Sequence, residues 1–156
     1  KQLVSDITKF EKECDKLDKQ PSLRLNGTSD IQWEYQEVNG KHVFDMFPNI
    51  QFYDYTKIPT RNINGIDNYH LTWSYSEANK KYAKLFDIVL ENKAVVFRKD
   101  IPKTFKGLEV INGDEHDMRF LDKDNVVVGL KAKGKAKQDY SGFVIDNEKI
   151  EVRLVA

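Results

Sequence analysis

The sequence predicts an α/β fold: a partly parallel sheet or partial (β/α) barrel, preceded by an amphipathic helix. Three observations carry that expectation. Short apolar runs recur along the chain, each closed by a cluster of turn residues, which is the signature of strands. One segment of helical periodicity lies between two such runs, as in a strand, a crossover helix and a parallel strand. A third stretch, at the start, is helical by its spacing.

Leu3, Ile7, Phe10, Cys14 and Leu17 recur three or four residues apart, so a helix over 3–19 would carry them on one face. Ser5 offers a cap, and Pro21 a stop. Strands follow at Ser22–Leu25, Ile50–Tyr55, Tyr69–Trp73, Ala94–Phe97, Leu108–Ile111, Val126–Leu130, Phe143–Ile145 and Ile150–Val155. Val43–Phe47 reads as a short helix and Thr60–Asn68 as a loop. Between Ser74 and Ala94, Ser76 is the expected cap of a helix whose inner stripe is Ala78, Tyr82, Leu85, Phe86 and Val89. With no repeat and no low-complexity tract, the economical organisation is one α/β domain over 1–156, with 1–20 as its helix and 22–156 as its body.

The 156 residues carry 25 Lys+Arg against 25 Asp+Glu, so global basicity gives no argument for nucleic-acid or membrane binding. Nine Phe, seven Tyr and two Trp argue for a packed core rather than disorder. The longest apolar runs, such as Val126–Leu130, are far too short to span a bilayer, and no secretory segment follows Lys1. Cys14 stands alone, which excludes an internal disulfide, a zinc finger and a self-contained iron–sulfur cluster. There is no phosphate-binding glycine loop and no spacing that marks a nucleophile.

Three constellations could carry chemistry. If the strands are parallel, their carboxyl ends place Asn26, Asp30, Thr56, Lys57, Ser74, Glu77, Arg98, Asp114 and Lys131 at one mixed-charge mouth. The second is Gly113–Asp122. Asp114, His116, Asp117 and Asp122 are candidate ligands for Mg²⁺ or Mn²⁺, with Asp114, Asp117 and Arg119 as candidate catalytic groups for a phosphodiester. An acidic turn with Arg119 paired to Asp117 or Asp122 is the structural alternative. The third is Lys131, Lys133, Lys135 and Lys137, followed by Tyr140. In an extended segment these lysines would share one face and contact phosphates. Residues 126–138 hold those four cations and no acid, whereas 107–125 hold six acids, so a neutral chain still presents local polarity. Lysines that protect an edge strand are the alternative reading. Trp33, Tyr35 and Tyr75 could stack on bases if exposed, although aromatic clusters are more often core. His70, inside an apolar strand, reads as a core histidine.

The runs FPNIQFYDYTKIPTR, YHLTWSYSEAN, VINGDEHDMRFLD and VVGLKAKGKAKQDYSGFVI resemble the C-terminal part of the phage gene-88-like proteins, over residues 22–146. The resemblance implies a phage or mobile-element origin, action in the cytoplasm of a bacterial host, and a (β/α)-type fold similar to that of radical-SAM proteins. Longer relatives carry an N-terminal cysteine cluster suited to an iron–sulfur centre. Cys14 alone cannot supply one, so radical chemistry is not expected here. On the matching positions, Asp114, Asp117, Arg119, Asp122, Lys131 and Lys133 carry over as a candidate site.

The resulting expectation is a protein that engages nucleic acid, RNA or single strands ahead of duplex DNA, with metal-assisted nuclease activity as one form of it. The alternative from a different class is a non-catalytic inhibitor of a host defence protein or ribonucleoprotein, of the anti-CRISPR kind.

Overall fold

A computed structural model of the chain describes residues 1–147, and the expected strand Ile150–Val155 lies outside them. The fold is mixed α/β with an N-terminal helix, α1 (Gln2–Lys16). Strands β1 (Ser22–Arg24), β4 (Gln51–Thr56), β5 (Tyr69–Ser74), β6 (Lys93–Phe97), β9 (Val126–Lys131), β8 (Leu108–Asn112) and β7 (Thr104–Phe105) follow one another across the sheet in that order. Among the described residues the order is an open path and does not close into a barrel. Pairs β1–β4, β5–β6, β6–β9 and β8–β9 are parallel, and β7 runs antiparallel to β8. A short ribbon of β2 (Glu37–Val38) and β3 (Lys41–His42) precedes helix α2 (Val43–Met46).

By packing, the chain forms two compact units. The first comprises Lys1–Asp54 and Arg61–His70, and the second Tyr55–Thr60 and the chain from Leu71 onward.

In the first unit, α1 buries Ile7 and ends two residues beyond Lys16 in a Schellman motif. Asp18 takes the left-handed conformation (φ 51°), its N–H donates to Asp15 O, and the Lys19 N–H donates to Cys14 O at 3.0 Å. The helix therefore stops before Leu17 can join the stripe, and Leu17 is 65% exposed. Phe44 packs face to face with Tyr69 and edge-on to Phe52. Beside this core lies a buried polar network at the carboxyl ends of β1 and β4. Asp54 accepts hydrogen bonds from the Asn26 N–H (2.7 Å), the Asn26 side-chain amide (3.0 Å) and the Tyr69 hydroxyl (2.9 Å). Arg61 donates to Tyr69 Oη, to both Glu34 oxygens and to Asp30. The Asn26 carbonyl oxygen of the side chain gathers Ser29, the Ile31 N–H and the Trp33 indole, which fixes the whole 26–34 loop. Burial pushes Asp54 above the ordinary carboxylate range, and its hydrogen bonds and nearby arginines partly restore it.

In the second unit, one face of the sheet forms the core: Trp73, Tyr75, Phe86, Val95, Phe97, Phe105, Val127 and Ile145. Tyr75 is fully buried and meets Trp73, Phe86 and Phe105 edge-on, so it is core and not a stacking platform. The helix expected between Ser74 and Ala94 shrinks to α3 (Lys80–Ala83), capped by Asn79 rather than Ser76. Beyond Ala83 the chain tightens to three-residue turns, Leu85 N–H to Tyr82 O and Ile88 N–H to Leu85 O. Those turns still deliver Phe86 to the core, while Ile88 and Leu90 stay outside.

Strand β10 (Val144–Ile145) completes the sheet. It runs parallel to β6 at Val96 and Phe97, on the edge that β5 occupies at Lys93 and Ala94. β5 leaves that edge and β10 takes it over.

Candidate nucleic-acid interface

Because β5, β6, β8 and β9 are parallel, their carboxyl ends do share one edge, where the second unit carries Ser74, Arg98, Asp114 and Lys131, and Lys57 lines the same cleft as Ser74. The side chains at this edge fall into three groups.

The first is the 113–122 loop. It leaves β8 at Gly113, where a Cβ would lie 2.4 Å from Val128 Cγ1 and 2.9 Å from Leu130 Cδ2. Only glycine lets the chain fold back so close to β9. Arg119 is 1% exposed, its Nε 3.3 Å from Asp122 Oδ2, and its Nη2 donates to the His116 carbonyl and contacts His116 Nδ1 at 3.1 Å. A guanidinium so enclosed anchors the loop and cannot reach a phosphate outside it. Asp117 accepts the Tyr55 hydroxyl at 2.8 Å. Asp114 accepts the Lys131 N–H at 3.0 Å and the Lys133 ammonium at 2.7 Å. The Lys133 ammonium holds the Asp114 carboxyl below the usual range, and the Lys131 contacts add to that effect. Asp114, His116, Asp117 and Asp122 are thus near in sequence, but Asp114 turns to Lys133, Asp117 to Tyr55, and His116 and Asp122 both to Arg119. Among the described residues no three His, Cys, Asp or Glu side chains gather as a metal-binding group.

The second group is the lysine segment. It is not extended. β9 ends at Lys131, and Gly134–Gln138 winds into a 3-10 turn, with Gly134 in the left-handed region. The four lysines therefore do not form a single row. Lys131 pairs with Asp100 at 3.1 Å and Lys133 with Asp114, while Lys135 and Lys137 are exposed on the turn.

The third group fixes that turn. Arg98, at the carboxyl end of β6, donates to the Lys137 carbonyl at 2.6 Å and the Asp139 carbonyl at 2.5 Å, and lies 3.6 Å from Asp146. Tyr140, 79% exposed, covers the Arg98 guanidinium at 4.2 Å from ring centroid to carbon. Asp139 accepts the Ser141 N–H and hydroxyl; these bonds hold its carboxyl below the usual range. A cleft of about 520 Å³ opens beside this segment, lined by residues of the β5 end, α3 and 139–143.

The sequence pointed to Lys135, Lys137 and Tyr140 but did not single out Arg98 as the residue that shapes their loop, nor the cleft. The Asp139-Tyr140-Ser141-Gly142 run carried the available signal, an aspartate two residues before a serine and then a glycine, which is turn chemistry.

The fold and this edge define a small α/β protein whose polar residues collect beyond the carboxyl ends of parallel strands. The chain belongs to the gene product 88 family, whose model matches residues 1–147. No curated protein and no solved structure matches it. Among the described residues no helix is long and apolar enough to cross a membrane.

Proposed function

We propose that this protein binds single-stranded nucleic acid, RNA foremost, through the 134–141 loop, and does so without cleaving it. The observation that carries this reading is the construction of the loop. Arg98 ties down two of its carbonyls, so Lys135, Lys137 and Tyr140 are presented from a fixed backbone. Two exposed lysines and an exposed aromatic ring on one short loop are what a phosphate backbone and a stacked base require. The acidic loop supports the non-catalytic form. Asp114, Asp117 and Asp122 are engaged by Lys133, Tyr55 and Arg119, and drawing them to a metal would break those contacts.

A gel assay with labelled structured RNA, single-stranded DNA and duplex DNA, in Mg²⁺ and in Mn²⁺, tests the second half of the proposal. Retardation without products is the expected result. Metal-dependent products that disappear in Asp114→Ala would restore the nuclease reading and refute this one.

A further inference from the structure

We propose that the cleft between the end of β5 and the 139–143 segment is a nucleobase pocket, seating one base of a single strand whose phosphates lie on the 134–141 loop. The inference rests on the reading of that loop as a phosphate-binding surface, and adds where the base goes.

The pocket follows from the topology. β6 gives one edge first to β5, through Trp73 and Ser74, and then to β10, through Val144 and Ile145. Where one strand leaves and the other arrives, the chain after β5 and the chain before β10 meet at Gly142, and residues of both segments line the cleft. In open α/β sheets, crevices beyond the carboxyl ends of strands are where ligands bind. The volume of about 520 Å³ falls within the range of small-ligand sites.

Its lining suits a flat heterocycle. Trp73, 2% exposed, closes the floor, and Tyr82 and Phe143 add aromatic surface. Among the described residues, the hydroxyls of Ser74 and Tyr82 and the amide nitrogen of Asn79 take no protein hydrogen-bond partner, since Asn79 uses only its oxygen, on the Tyr82 N–H. Two hydroxyls and an amide can satisfy both the donors and the acceptors of a base edge. Lys57 also lines the cleft. The walls are held together: the Gly142 carbonyl accepts the Glu77 N–H at 2.9 Å and the Ser76 hydroxyl at 3.3 Å. Continuity of the chain supplies the link to the strand, because Lys137 and Tyr140 run directly into Ser141 and Phe143 of the cleft wall.

Fluorescence anisotropy of the full chain with a short oligoadenylate, with an abasic strand of equal length and with adenosine monophosphate tests this. The base-bearing strand should bind about tenfold more tightly than the abasic one, the scale of one stacked base. Ser74→Leu, which fills the cleft, and Tyr82→Leu, which removes a hydroxyl and a ring, should each lower its affinity several-fold toward the abasic level, short of it by what Tyr140 stacking contributes, and leave abasic binding unchanged. Circular dichroism checks that each variant folds. Equal wild-type affinity for the two strands overturns the pocket and leaves the phosphate reading standing. Loss of binding to both strands overturns both. Adenosine monophosphate bound as tightly as the oligomer, and lost in Ser74→Leu, would make the occupant a free nucleotide and overturn the single-strand assignment.

Discussion

Asp54 shows how a single side chain can order a whole loop. Its two oxygens meet three donors, and two of these, the Asn26 amide and the Tyr69 hydroxyl, converge on one oxygen. Asp54→Asn would place an NH₂ among donors, and we expect a loss of about 1–3 kcal/mol, the cost of a buried unpaired polar group, read by urea denaturation. Asp114 makes a prediction about pH. Its carboxyl is held below the usual range by the Lys133 ammonium, so its contribution is complete above the unfolded value of about 3.9 and is lost as pH falls through the folded value. Asp114→Asn should therefore flatten the acid limb of the stability profile and leave stability little changed once pH is below the folded value. Gly142 is the third such position. It sits at φ +102°, and a Cβ there would lie 2.8 Å from Ala78 N and 3.0 Å from the Glu77 carbonyl carbon. Those neighbours are backbone and cannot swing away. Gly142→Ala should cost about 1–3 kcal/mol in thermal or chemical unfolding and open the cleft wall.

At the scale of elements, the strands were the legible part and the long helix was not. Runs such as Val126–Leu130 are β-branched and flanked by turn residues, so their identity is local. Which strands neighbour one another is not local. That β10 should follow β5 along β6 depends on pairings far apart in sequence, Val144 with Val96 and Trp73 with Lys93. The segment after Ser74 has helical spacing, yet Glu77 bonds to the Gly142 carbonyl and the chain turns into α3 only after Asn79. Tertiary contacts there override the periodicity. The lysine segment fails for a related reason. Period two means one face only in extended chain, and Gly134 bends it into a 3-10 turn. What survives is a pair, Lys135 and Lys137, on a loop that Arg98 holds. The strand-end rule, by contrast, located Ser74, Arg98, Asp114 and Lys131 correctly at one edge, because it needs only parallel pairing. Arg98→Ala should release the loop carbonyls at 137 and 139. We expect single-strand affinity to fall several-fold while Lys135 and Lys137 remain present, with amide exchange over 134–141 accelerating in the same variant.

For the molecule as a whole, 25 basic and 25 acidic residues leave no net field to draw nucleic acid from a distance. Binding must come from local arrangement, and a large part of the charge is already paired within the protein, as Lys131 with Asp100, Lys133 with Asp114 and Arg61 with Glu34. The remaining basic surface on the 134–138 turn then decides the salt dependence. Each phosphate contact on a single strand contributes about 0.7 to the slope of log affinity against log salt concentration. The most direct test is that slope, measured by titrating a single-stranded RNA at several salt concentrations with wild type and with Lys135→Gln/Lys137→Gln. The proposed interface predicts a wild-type slope of about 1.4 or more, made shallower by about 1.4 in the double variant, two phosphate contacts at about 0.7 each. An unchanged slope, or affinity that ignores salt in the wild type, would contradict it and place the function of this fold elsewhere on its surface.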